Sequence, residues 1–153
     1  SAGHAAVIPA GARVSIEGDD ASWSFYAAVP AASDGTSEAK QPVFMTGKEP
    51  LEPSPPPSAE VLTTEAPVCG VVESAFDTAT GSRYGIWAAT PYARNVQVHK
   101  GHEMMHVIEG GMTLFDYDGL SFKLEPGDTV LVPKGSQCGW ASTVAMRKYY
   151  AGT

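Results

Sequence analysis

Apolar and polar residues alternate along much of this chain with a period of two, in short bursts. The first burst falls in residues 1–30, with Ala6-Val7-Ile8, Val14 and Ile16, then Trp23, Phe25 and Tyr26. Others cover 84–88, 94–99, 104–109, 112–117, 120–124, 129–132 and 146–151. Alternation of this kind puts successive side chains on opposite faces of an extended backbone, so each burst predicts a strand. Turn residues separate them: Glu109-Gly110-Gly111, Asp118-Gly119 and Glu125-Pro126-Gly127-Asp128. The Asp118-Gly119 pair between two alternating runs predicts a type I′ hairpin. The one helix the pattern admits is a short one over 71–78. Short, evenly spaced strands without amphipathic helices between them predict an all-β sandwich or small barrel with few or no helices.

Composition divides the chain into three zones. Residues 31–60 carry six prolines between Pro42 and Pro57. Proline has no amide donor for a ladder, so no central strand passes there and the zone reads as a linker or surface strap. Residues 61–153 hold most of the strand signal and read as a complete barrel.

Residues 1–30 then look like a fragment. GHAAVIPAG at 3–11 aligns with GDTVLVPKG at 127–135, and SFYA at 24–27 with KYYA at 148–151, at a constant offset and without a gap. The shared positions are turn glycines, a proline and a closing strand, which set backbone geometry. Two readings stand. Either these are the closing strands of a partial first repeat, or they are two unrelated hairpins with the same turn chemistry. As orphan strands they pack onto their own barrel or exchange into a second copy, which gives a homodimer as the expected assembly.

Charge and composition exclude several functions. The net charge of −7 opposes a phosphate-tracking surface, so no nucleic-acid partner is expected. No apolar run is long enough to span a bilayer as a helix, so no membrane partner is expected either. Two cysteines, Cys69 and Cys138, fit a reducing cytoplasmic compartment better than a disulfide scaffold. The 16 Gly and 12 Pro exclude a helix bundle.

The candidate chemistry lies in Gln97-Val98-His99-Lys100-Gly101-His102-Glu103, six residues before Gly110, and in Gly127-Asp128 through Pro133-Lys134-Gly135 to Cys138. These two stretches resemble the paired motifs of the cupin superfamily. Gly85-Ile86-Trp87 ahead of the first, Trp140 after the second and Arg147-Lys148-Tyr149-Tyr150 at the end resemble the branch of ethanolamine-utilisation cupins and ureidoglycine aminohydrolases. The resemblance covers about residues 60–151. It implies a double-stranded β-helix, that is, a small jelly-roll barrel.

The resemblance also implies four metal-ligand positions: Gln97, His99, Glu103 and Cys138. Only His99 and Glu103 are of the usual type there. An imidazole, a carboxylate and a thiolate suit zinc or iron, manganese gains little from a thiolate, and a neutral amide is a weak fourth donor. One divalent ion (Zn, Fe or Mn) and a polar pocket without metal are both open. Cys138 reads equally as a ligand and as a small buried apolar residue. His102, His106 and His4 fall on a strand tip, the opposite strand face and a turn, away from the site. Trp87 and Trp140 read as walls of a small-molecule pocket or as core, and Met105 shares the face of Glu103. Two functions follow. One is a small polar molecule bound in the barrel, with metal-assisted hydrolase or isomerase-type chemistry, or with Glu103 as a general base whose pKa burial raises. The other is a binding or structural module without catalysis or metal.

Overall fold

The computed structural model describes residues 3–15, 17–18 and 41–153. Among these residues there are twelve strands and no helix. They are β1 (Ala5–Val7), β2 (Val43–Met45), β3 (Glu52–Ser54), β4 (Cys69–Asp77), β5 (Ser82–Ala89), β6 (Tyr92–Val98), β7 (Glu103–Glu109), β8 (Met112–Phe115), β9 (Ser121–Leu124), β10 (Thr129–Val132), β11 (Gln137–Ser142) and β12 (Met146–Gly152). One sheet has the order β10-β7-β12-β5-β4-β3 and a second the order β6-β11-β8-β9, while β1 and β2 form a separate ribbon. The pairs are antiparallel throughout. This is the all-β architecture that the alternation predicts, in the jelly-roll form that the resemblance implies.

Two apolar clusters lie on the two faces of the six-stranded sheet. Between the sheets, Met105, Val107, Met112, Leu114, Val132, Trp140 and Met146 form the barrel interior. On the outer face Ile86 and Tyr149 are covered by Met45, with Ala5, Val7 and Leu51 packed around them. The alternation in β12 decides this division: Met146 and Lys148 face inward, while Arg147 and Tyr149 face outward. The outward pair fastens the strap. The Tyr149 hydroxyl donates to the Gly3 carbonyl at 2.7 Å, and Arg147 Nε donates to the Gly47 carbonyl at 2.6 Å. The described part of the N-terminal zone therefore packs on its own barrel. Trp23, Phe25 and Tyr26 lie outside the described residues.

Two local expectations need correction. Residues 71–78 are strand and not helix. Val71 and Val72 are β-branched, Gly70 weakens a helix start, and β4 finds partners on both sides in β3 and β5. The hairpin at Asp118-Gly119 is not type I′, which needs positive φ at both central residues. Gly119 alone has one, at +87°, and the Asp116 amide donates to the Leu120 carbonyl at 3.0 Å, enclosing three loop residues. Asp116 Oδ1 accepts from the amides of Asp118 and Leu120, an Asx arrangement that fixes the longer loop. In the proline zone the short β3 takes the sheet edge, the place where a strand tolerates a proline such as Pro53.

The aligned turns at 3–12 and 127–136 share their backbone geometry. Gly3 and Gly11 have φ of +78° and +79°, and Gly127 and Gly135 have +98° and +87°. The Ala12 amide donates to the Pro9 carbonyl at 3.1 Å, and the Ser136 amide donates to the Pro133 carbonyl at 3.1 Å.

Candidate functional site

Four strands and the end of a fifth aim side chains into the barrel at one end. Trp87 of β5 stands opposite Lys148 of β12, and Lys148 stands opposite Val107 of β7, so these three share the inner face. Glu103 and Met105 follow from the parity of β7. On β6 a bulge intervenes: Cys138 pairs with Gln97 but Trp140 pairs with Arg94, so two residues of β6 oppose Gly139 alone. The extra residue flips the parity, and Arg94, Gln97 and His99 all reach the inner face. Without it Arg94 and Gln97 would point to opposite faces.

Lys148 lies at the centre of this group. It is 5% exposed. Its Nζ donates to Glu103 Oε1 at 2.7 Å and lies 2.8 Å from Met105 Sδ. It also lies 5.2 Å from the Trp87 ring centroid and 4.9 Å from that of Trp140. The two indoles meet edge to face at 6.1 Å, and Tyr92 stacks on Trp140 at 5.8 Å. An ammonium in a dry interior needs a counter-charge, and π faces add to it. Lys148 has both.

The other oxygen of Glu103 faces the imidazole, with His99 Nε2 at 3.8 Å from Oε2. Burial pushes the Glu103 carboxyl up, but the Lys148 ammonium, helped by His99 and Arg94, outweighs it and holds the carboxyl below its usual range. The expectation of a raised, proton-seeking Glu103 is therefore corrected: at neutral pH it is a paired carboxylate. Lys148 is the reason. Its strand was legible but its partner was not, and an apolar-polar alternation that places a lysine among inward positions is the signal that could have found it. Burial lowers His99, so its ring is neutral at pH 7. Burial raises Cys138, so its thiol stays protonated.

The four positions implied as metal ligands do not suit a divalent ion in this arrangement. Lys148 already holds one oxygen of Glu103, and the Gln97 amide donates to the Val96 carbonyl at 2.9 Å. Among the described residues no three His, Cys, Asp or Glu side chains are grouped to hold a metal. Met105 and Trp140 form the buried floor, while Trp87, His99, Cys138 and Glu103 are partly open to solvent. His106 points the other way: its Nδ1 lies 2.8 Å from Thr129 Oγ1 and its ring stacks on Tyr149. His102 is exposed. A separate pocket of 430 Å³ lies at the far end of β7, lined by Cys69, Ala89, Glu109 and Met146 among others. It shares no residue with the group around Lys148.

The EutQ-like cupin domain family matches residues 77–150. A protein of unknown function from Pseudomonas syringae pv. tomato is 38% identical with a TM-score of 0.72, over 74% of this chain and 49% of that one. The chain thus spans about half the length of that relative. The EutQ protein of Clostridium difficile is 18% identical with a TM-score of 0.47, over 56% of this chain and 62% of its own. A DMSP lyase structure is 18% identical with a TM-score of 0.52, over 67% and 56%. At 18% identity that last likeness shows the fold alone. No curated protein matches. No helix among the described residues is long and apolar enough to cross a membrane.

Proposed function

The barrel of this protein belongs to the EutQ-like branch of the cupin superfamily, and from that membership we propose that it binds a small polar molecule inside the barrel, at a site organised by the Lys148–Glu103 pair in place of a metal ion. The observation that carries this reading is the buried Lys148 ammonium, held at once by a carboxylate and two indole faces. A cation already stands where Glu103 would meet a divalent ion, and like charges a few ångströms apart in a dry interior repel strongly. Aromatic walls around a few convergent polar groups are the usual make-up of a small-ligand site.

The test is native mass spectrometry, with metal analysis, of protein purified without a nickel column. A small molecule that leaves on denaturation, with metal well under one per chain, supports the reading. Stoichiometric zinc, iron or manganese that is lost in His99→Ala refutes the metal-free part.

A second reading adds catalysis. The base in this reading is the neutral His99 imidazole, which the ionised Glu103 faces and orients. If so, His99→Gln binds the co-purifying ligand and no longer converts it. The likeness of the two GxxxxxPxG turns, and a Pseudomonas relative of which the match covers only 49%, also support the reading of residues 1–30 as part of a first cupin repeat. A homodimer belongs to the same proposal. The edge strand β9 leaves Phe122 exposed beside Leu120, and light scattering at twice the 16.0 kDa chain mass would support it.

A further inference from the structure

Among the described residues the barrel interior carries one positive charge more than it neutralises. Lys148 and Glu103 cancel. Arg94 faces the same interior from β6, opposite Trp140, and its charge acts on Tyr92, His99, Glu103 and Cys138. None of the ion pairs among the described residues includes Arg94. A second observation points the same way. Trp140 is 3% exposed and its Nε1 donor is buried without any partner among the described residues. A buried donor left unmade is unfavourable until an acceptor reaches it. A third concerns the aromatic walls. Indole faces attract cations, but Lys148 already fills that position, so a cationic ligand would meet both a filled cage and the charge of Arg94.

We infer that the ligand of this interior site is a small monoanion, a carboxylate carried on a flat apolar group, with the carboxylate meeting Arg94 and the Trp140 N–H and the flat group lying against the partly open Trp87. The inference rests on the binding site proposed above. The guanidinium fork matches the two oxygens of a carboxylate. One surplus positive charge balances one negative charge, whereas a phosphate dianion would leave the interior negative. The flat group finds edge-to-face aromatic surface of the kind that favours ring contacts.

The experiment is isothermal titration calorimetry of the whole chain at pH 7.5 with four compounds of one shape: benzoate, benzamide, phenyl phosphate and benzyltrimethylammonium. Benzoate is expected to bind saturably, about tenfold or more tighter than benzamide. Arg94→Gln is expected to remove that preference. Arg94→Lys, which keeps the charge and loses the fork, is expected to fall between. Trp140→Phe, which keeps a ring and removes the N–H, is expected to weaken benzoate several-fold. Benzamide or the ammonium compound binding as tightly as benzoate overturns the charge argument and leaves the interior site standing. Tighter binding of phenyl phosphate overturns the carboxylate assignment. If none of the four binds, the ligand class falls, whereas the binding reading falls only if native mass spectrometry also finds no ligand.

Discussion

Replacing Glu103 by Gln while keeping Lys148 is expected to destabilise the barrel more than replacing Lys148 by Met while keeping Glu103. The two partners differ in their access to water. The Lys148 side chain is 6% exposed and that of Glu103 is 26% exposed. Removing one partner of a buried pair costs about 3–5 kcal/mol, because the other charge is left uncompensated. For Glu103→Gln that figure is discounted: the amide oxygen still accepts a hydrogen bond, and two indole faces at 5.2 and 4.9 Å each retain about 0.5–2 kcal/mol. A net loss of about 2–3 kcal/mol remains. For Lys148→Met the side chain left behind is of similar length and apolar, and water can reach Glu103, so the loss is about 0–1 kcal/mol. The double variant should match Lys148→Met, giving a coupling energy of about 2 kcal/mol. Urea unfolding at pH 7.5 measures all four proteins, with equal slopes required for the comparison. In a chain of 153 residues the Glu103→Gln loss corresponds to a melting temperature lower by about 4–12 °C. A coupling below about 0.5 kcal/mol, or a larger loss for Lys148→Met than for Glu103→Gln, would refute the burial argument.

Acid should weaken the fold in two stages. His99 and His106 are both lowered by burial, so their contribution is present above the ordinary histidine pKa and is lost as pH falls below about 6.5. Glu103 is lowered as well, so its contribution persists to about pH 4.5 and is lost below it. Urea midpoints against pH should flatten between pH 5 and 7 in a His99→Gln, His106→Gln protein (roughly that window), and an unchanged profile would contradict the assignment. At Gly110, φ is +73° and an added Cβ would run into the Ala145 carbonyl oxygen, so Gly110→Ala should cost about 2–4 kcal/mol. Gly119 also has positive φ but open space around it, so Gly119→Ala should cost only about 1–2 kcal/mol, and thermal melts rank the two. Arg147→Ala should cost about 2–3 kcal/mol and raise hydrogen exchange in residues 43–49, because Arg147 bonds the Gly47 and Glu49 carbonyls. Equal exchange gains along β7 would show a global effect and not a released strap.

Local chemistry in the chain determines the elements and their turns. The alternating runs at 129–132 and 146–151 and the glycine-proline turns need only neighbours in sequence, because strand parity and positive φ are properties of a few adjacent residues. The two motifs around His99, Glu103 and Gly127-Asp128 were legible for the same reason, and with them the family. β11 shows no alternation because Trp140 stands between Gly139 and Ala141, and the pattern of β4 does not show that a strand waits on each side of it. In the sequence Glu103 has no visible partner, because Lys148 lies 45 residues away along the chain. Only antiparallel pairing of β7 with β12 brings the ammonium to 2.7 Å. Only the bulge in β6 turns Arg94 and His99 to the same side. Parity tells which residues share a face of one strand. Charge state depends on which strand lies opposite, and that is settled when the sheet closes.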